Sequence, residues 1–280
     1  MTDTPEILRI DVDKVLRTRA ARYYRFIPRF LIRRVEKMIC QREMNEFLSA
    51  HGHLRDAGLC RAFIEHLGVT YTVTGMENLP ENPRAIFTCN HPLGGLDGII
   101  LIDFLSRRYA GRVKFVVNDL LMAVKPLGGV FLPINKHGRQ NRGDAGRLDD
   151  AMAGDDAIII FPAGLVSRKG KKGAIADLEW QKAFINKAIR YRRDIIPMHF
   201  SGHNSKFFYN FAKWRTRLRL KFNIEMVRLP REMFLSRGKS FRISIGSAVR
   251  WQTLRGGTHA KEEAARMRSV TYSLGSSDQS

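Results

Sequence analysis

Ala85-Ile86-Phe87-Thr88-Cys89-Asn90-His91-Pro92-Leu93-Gly94-Gly95-Leu96-Asp97-Gly98-Ile99-Ile100-Leu101 runs from one apolar segment, through a polar turn, into another. The first segment reads as a buried strand and the second as a helix. The same alternation continues outward. Strands are expected at Val69–Val73, 84–90, 113–118, 128–133, 156–161 and 195–200, with helices at 98–108, 119–125 and 177–192. Strands alternating with helices predict an α/β fold, a mostly parallel central sheet flanked by helices. Phe241–Gly246 alternates as one more strand, and 259–270 reads as a terminal helix. The N-terminal part, from 12 to about 48, reads as a basic amphipathic helical segment. Three divisions follow: an N-terminal helical segment (1–67), the α/β domain (68–250) and a C-terminal helix and tail (251–280).

The opening stretch carries chemistry as well as fold. In open α/β sheets, sites collect at the carboxyl ends of strands. Pro92 biases His91 to an extended backbone. Gly94-Gly95 permits a tight turn that can swing Asp97 back to the imidazole. A carboxylate on one ring nitrogen fixes the tautomer and leaves the other as a base. The spacing alone equally permits Asp97 as a helix N-cap with His91 incidental. Gly128-Gly129-Val130-Phe131-Leu132-Pro133-Ile134-Asn135-Lys136 is an apolar strand emerging into polar and basic residues, suited to an anionic group or simply to a solvated loop. Phe161-Pro162-Ala163-Gly164-Leu165-Val166-Ser167-Arg168 follows another apolar run and leads into a dense basic loop. Gly164…Gly170-Lys171 has the wrong glycine spacing for a nucleotide-binding loop, and Lys172 stands where Ser or Thr belongs.

Charge narrows the partners. The 280 residues hold 48 Lys+Arg against 27 Asp+Glu, a formal net charge of +21. Such an excess implies a polyanionic partner: nucleic acid, an anionic membrane face or acidic substrates. Between Lys14 and Lys37 lie nine basic residues and a single acid, Glu36, with Tyr23, Tyr24, Phe26 and Phe30 among them. That composition suits an interfacial helix, and equally a helix packed on the domain with a solvated basic face. No apolar run reaches the length of a membrane span. Cys40, Cys60 and Cys89 are too dispersed for a disulfide framework or a cysteine zinc site. No metal site is expected, since His199/His203 and His51/His53 are weak as ligand pairs. The absence of Gly-x-Ser-x-Gly disfavours a serine hydrolase of the nucleophile-elbow kind.

Taken in order, these blocks resemble the lysophospholipid and glycerophospholipid acyltransferase family. Asn90-His91…Asp97 looks like its His/Asp motif, and Gly129 to Ile134 like its second, substrate-binding block. Phe161-Pro162-Ala163-Gly164 looks like its Phe-Pro-Glu-Gly block, and Ile195-Ile196-Pro197-Met198 like its last apolar block. The whole chain is most similar to a bacterial branch that carries a hemolysin label, related to the O-acyltransferases of glycine and ornithine lipid synthesis. The resemblance implies a membrane-associated O-acyltransferase, with His91 and Asp97 catalytic. Asn90, Gly129, Phe131, Pro133, Asn135, Lys136, Phe161, Pro162, Ala163, Gly164, Ser167 and Arg168 are then expected around the substrate. It implies no cofactor, only an acyl carrier protein or coenzyme A thioester as co-substrate. Its partners would be a lysolipid and an anionic membrane surface, at the cytoplasmic face of the inner membrane, peripheral or monotopic, and not nucleic acid.

Three departures from the family pattern bear on the substrate. Five residues rather than four separate His91 from Asp97. Ala163 replaces the family glutamate, and Asn135 the arginine that closes the second block. Both lost residues belong to blocks that hold a glycerol-phosphate head group in the family. The expected acceptor is therefore an N-acylated amino acid, a lyso-glycine or lyso-ornithine lipid, its carboxylate pairing with Arg168 or Lys136. The competing expectations are lysophosphatidic acid as acceptor, a basic nucleic-acid-binding protein, and a lipid or thioester hydrolase using the same pair.

Overall fold

The computed structural model describes residues 9–19, 21–118, 124–134, 142–170, 173–217 and 224–276 of the 280. Its strands are β1 (Thr70–Thr74), β2 (Ala85–Cys89), β3 (Val113–Asn118), β4 (Phe131–Ile134), β5 (Ala157–Ile160), β6 (Arg168–Lys169), β7 (Ile175–Ala176), β8 (Asp194–Phe200) and β9 (Ser240–Ile245). Seven of these form one sheet in the order β1-β9-β8-β2-β5-β3-β4, and β6 and β7 make a separate antiparallel pair. The five strands from β8 to β4 are all parallel; β9 reverses against β8, and β1 follows β9 in parallel. β2, the strand of the opening stretch, lies in the middle.

Helices cover both faces. They are α1 (Val12–Arg19), α2 (Ala21–Tyr24), α3 (Arg29–Met38), α4 (Gln41–His51), α5 (Asp56–His66), α6 (Leu96–Arg108), α7 (Arg142–Ala153), α8 (Ala183–Tyr191), α9 (Lys206–Arg217), α10 (Leu229–Phe234) and α11 (Ala260–Ser276). All five β2 residues are buried, as a strand covered on both faces requires. The pleat divides them. Ala85, Phe87 and Cys89 join α5 and α6 through Leu59, Phe63, Ile100 and Leu101. Ile86 joins α7, α8 and α11 through Met152, Phe184, Ala264 and Met267. Both α5 and α11 are thus parts of the packed body.

The N-terminal stretch divides into α1 to α4, and Pro28 precedes α3 as its extended N-cap. Their orientation differs from the periodicity: Ile32 is the buried residue of α3, whereas Leu31 is exposed. The helix expected over 177–192 begins only at Ala183. Asp177 is held instead by the Ser167 hydroxyl and the Trp180 indole, and the Gln181 N–H donates to the Pro162 carbonyl. These bonds keep 177–182 out of the helical ladder. β4 starts at Phe131 rather than 128, because the Asp56 carboxylate accepts the Val130 N–H at 3.0 Å and stabilises a turn there. A Cβ at Gly129 would collide with that carboxylate, so the close approach requires glycine. Pro133 sits on the edge strand β4, where a missing N–H costs least. α7 was not expected, since Leu148 and Met152 are its buried apolar residues and leave little periodic signal. Most of the helix expected over 119–125 lies outside the described residues, and Lys125–Leu127 is a 3-10 turn.

One buried charge ties α7 to the sheet. Arg193 is wholly buried and donates to the carbonyls of Met152 (2.8 Å), Gly154 (2.6 Å), Ala151 (3.1 Å) and Asp156 (2.7 Å). A cation at a helix C-terminus satisfies carbonyls that the helix cannot. Arg193→Ala is expected to destabilise the protein by about 3 kcal/mol or more, because those carbonyls would lose their donors in a dry environment. Denaturant unfolding measures this.

Candidate active site

The β2 strand ends at Cys89, and the turn that follows brings His91 and Asp97 together. The His91 Nδ1 lies 2.9 Å from Asp97 Oδ2. Gly94 adopts a left-handed conformation, φ 76°, which takes up the fifth intervening residue. Asp97 is not the N-cap of α6; Gly95 occupies that position, with Asp97 in the first turn. The same Asp97 Oδ2 accepts the Leu93 N–H at 2.9 Å and the Gly94 N–H at 3.3 Å, while Oδ1 faces the Gly98 N–H at 2.9 Å. Burial pushes the Asp97 carboxyl up, but the facing His91 imidazole and these N–H donors outweigh it and hold it below its usual range. An ionised Asp97 fixes the proton on Nδ1 and presents Nε2 as the base. The His91 side chain keeps 14% of its surface exposed against 0% for Asp97, so the base can be reached while its partner stays dry.

The imidazole is held flat. Phe161, just after β5, stacks on it with centroids 3.9 Å apart and planes 19° from parallel. Phe115 of β3 meets Phe161 edge-on at 5.3 Å, and Phe131 of β4 meets Phe115 at 6.0 Å. Two of the expected substrate residues, Phe161 and Phe131, therefore belong to one aromatic row leading from His91 toward the second block. Gly98 lets the row close up, since a Cβ there would lie 3.0 Å from the Phe115 ring.

The His91 backbone is gripped from the other side. Its N–H donates to Asp177 Oδ1 at 3.1 Å, and its carbonyl accepts the Ser167 N–H at 2.8 Å. The Ser167 hydroxyl donates to the same Asp177 oxygen at 2.6 Å, and Trp180 Nε1 donates to Asp177 Oδ2 at 2.9 Å. α11 reaches this clamp as well: the Asp177 N–H donates to the Tyr272 hydroxyl at 2.7 Å, and Arg268 donates to the Asp177 carbonyl at 2.7 Å. Downstream, the Asn204 amide donates to the Leu93 carbonyl at 3.2 Å, and the Tyr209 hydroxyl accepts the Asn204 N–H at 3.0 Å. The sequence offered no signal for Asp177, Asn204, Tyr209 or Tyr272. Each acts on the site only because the fold brings distant segments to one end of β2.

Several expected substrate residues have other work. The buried Asn90 amide donates to the Phe200 carbonyl at 2.9 Å and accepts the Phe200 N–H at 2.7 Å, which joins the turn to the end of β8. Ser167 belongs to the His91 clamp. Arg168 donates at 2.9 Å to the buried Glu225 carboxylate, with its guanidinium 5.8 Å above the Phe208 ring. The guanidinium expected to meet a substrate carboxylate thus already holds an internal one. Gly164 closes the turn after Phe161 with φ 63°, its N–H on the Phe161 carbonyl at 2.9 Å, and Pro162 receives the Gln181 N–H. Ala163 packs in the core with Trp180 and Phe184. Asn135 and Lys136 lie outside the described residues. His199 packs on the Tyr272 ring at 5.9 Å, and His199 and His203 both line a small cavity of about 130 Å³ behind the turn. Cys89 is fully buried, and burial drives its thiol well above the usual range, so it is no nucleophile.

The α/β sheet thus carries an oriented, partly exposed imidazole at the carboxyl end of its middle strand, where open α/β sheets collect their sites. The chain belongs to the acyltransferase family, whose model matches residues 14–280, and it is an acyl-transferring enzyme. It is 42% identical over 274 residues, covering 98% of this chain and 100% of the relative, to a lyso-glycine lipid O-acyltransferase of Bacteroides thetaiotaomicron. It is 41% identical, over 98% of both chains, to a lyso-glycine lipid O-acyltransferase of Phocaeicola vulgatus. The crystal structure of the 1-acyl-sn-glycerophosphate acyltransferase PlsC from Thermotoga maritima aligns over 95% of this chain and 92% of its own, with 15% identity and a TM-score of 0.47.

Replacing His91 by Ala should lower turnover by about 10²–10⁴, the usual worth of a general base, and Asp97→Asn should lose most activity by releasing the tautomer. Normal turnover by folded His91→Ala protein would refute the assignment. Asp177→Ala should lower kcat by about tenfold or more while KM changes by less than about threefold, because it misplaces the base without touching the substrate. Asp177→Asn, which keeps an acceptor for the His91 N–H, should recover part of that loss. Steady-state kinetics on protein checked by circular dichroism decides both.

Proposed function

We propose that this enzyme moves a fatty acyl group from a thioester to the hydroxyl of a lyso-glycine lipid. The observation that carries the chemistry is the 2.9 Å contact between His91 Nδ1 and the buried Asp97. His91 Nε2 takes the proton of the acceptor hydroxyl as its oxygen attacks the thioester carbonyl. The imidazolium that forms is stabilised by Asp97. Collapse of the tetrahedral intermediate breaks the C–S bond, and the thiol of coenzyme A or acyl carrier protein leaves with that proton.

The acceptor class is supported by near-full-length similarity to proteins named for lyso-glycine lipid, and by Ala163, whose methyl lies in the core where the family places a carboxylate. Arg168, paired with Glu225, would meet the head-group carboxylate only by exchanging partners, and Lys136 is the other cation assigned to it. Purified enzyme assayed with lyso-glycine lipid, lyso-ornithine lipid and lysophosphatidic acid should give the highest kcat/KM with lyso-glycine lipid. A clear preference for lysophosphatidic acid would overturn the reading.

The acceptor's tails place the work at a membrane. Among the described residues no helix is long and apolar enough to cross one. Phe26 and Phe30 are about 70% exposed, beside Leu31 and the cations Arg25, Arg29, Arg33 and Arg34. That mixture supports peripheral attachment of α3 and the turn before it to anionic lipid, at about 1 kcal/mol per basic residue close to the surface. A thioester donor supports the cytoplasmic face of the inner membrane as the place of work.

A further inference from the structure

α9 has two apolar faces, and among the described residues one is packed into the protein while the other is largely exposed. Phe208, Tyr209 and Ala212 are buried against the body. Phe207, Phe211 and Trp214, at spacings of four and three, share the other side of the helix. Phe207 is 54% and Trp214 57% exposed, and Phe207 and Phe211 stack at 5.9 Å. The sequence of the helix, Lys-Phe-Phe-Tyr-Asn-Phe-Ala-Lys-Trp-Arg-Thr-Arg, holds four cations and no acid. Arg228, from the segment leading into α10, stands 4.1 Å from the Phe207 ring centroid, and the neighbouring Val227 is exposed.

The inward face touches the catalytic machinery. The Tyr209 hydroxyl holds Asn204, which binds the Leu93 carbonyl of the His91 turn, and Phe208 lies under Arg168. One helix therefore contacts the turn with one face and offers aromatic rings and cations to the outside with the other.

We propose that the outward face of α9 is a membrane-docking element, separate from α3 and the turn before it, that seats Phe207, Phe211 and Trp214 in the interface of an anionic bilayer beside the active site. The proposal rests on the reading of the enzyme as a lysolipid acyltransferase. An acidic carrier protein would account for the cations alone. Exposed Phe and Trp interleaved with cations match the headgroup region of a bilayer, where aromatic rings settle and anionic lipid attracts the charge. A helix docked there would place the His91 turn where a lysolipid can enter without crossing water.

The test uses the full chain and vesicles of phosphatidylglycerol with phosphatidylcholine. With Trp251→Phe to lower the background, and Trp180 buried, the fluorescence of Trp214 should shift to the blue on anionic vesicles and not on pure phosphatidylcholine. A Phe207→Ala/Trp214→Ala variant should transfer to acceptor embedded in those vesicles at least about tenfold more slowly. With a dissolved short-chain acceptor and a coenzyme A thioester it should stay within about twofold of the parent. Unchanged fluorescence, or an unchanged rate on vesicles, would overturn the proposal. A loss on the dissolved acceptor that appears only with a carrier-protein thioester would also overturn it, in favour of carrier docking. If the parent shows the blue shift but transfers to no lysolipid in either form, docking stands and the functional reading fails.

Discussion

The Asp97 carboxylate organises everything around it. It is fully buried, and it is tolerated there because it is surrounded by donors: His91 Nδ1 and the N–H groups of Leu93, Gly94 and Gly98. A buried carboxylate is stable only when such bonds replace its water. The same bonds close the turn after β2, set the start of α6 and fix the tautomer of the imidazole. Fold and chemistry are therefore not separable here. A change that removes the charge removes the reason for the turn as well as the partner of the imidazole.

Around that centre the labour is divided between the two faces of the sheet. From the α6 side, the aromatic row of Phe161, Phe115 and Phe131 fixes the plane of the ring. From the α11 side, Asp177 and Ser167 hold the backbone of His91. Neither set carries out a proton transfer, yet both act on where Nε2 stands. Positioning of this kind is how groups remote from the reacting atoms influence a rate. The excess positive charge has a different role. It belongs largely to surfaces, and around α3 and on α9 it stands beside exposed aromatic rings, Phe26, Phe30, Phe207 and Trp214, a pairing that suits the proposed membrane attachment.

Much of the architecture was legible in the chain. The buried strands announced themselves as apolar runs, and β2, β3, β5 and β8 fall within a residue or two of their expected bounds. The His91–Asp97 pair was legible because proline and two glycines between them restrict the turn to few shapes. The helix expected from residue 177 failed for a reason periodicity cannot register. Asp177 is bound by groups from three other places in the chain, and those bonds compete with a helical ladder. Asn90, Ser167 and Arg168 were legible as polar residues near the site. Their partners Phe200, Asp177 and Glu225 were not.

The sequence by itself determined the mostly parallel α/β plan and the turn that can return Asp97 to His91, because those depend on local features, apolar period and turn residues, while the acyl-transfer reading came from the ordered likeness of its blocks to a family. Only the tertiary structure decided what holds that pair in place. The bond from the His91 N–H to Asp177 spans 86 residues, and that from Asn204 to Leu93 spans 111. Such contacts follow from the order of strands in the sheet, which places the ends of β2, β5 and β8 side by side. A polar group's partner across that distance is set by three-dimensional proximity, and no pattern along the chain encodes it.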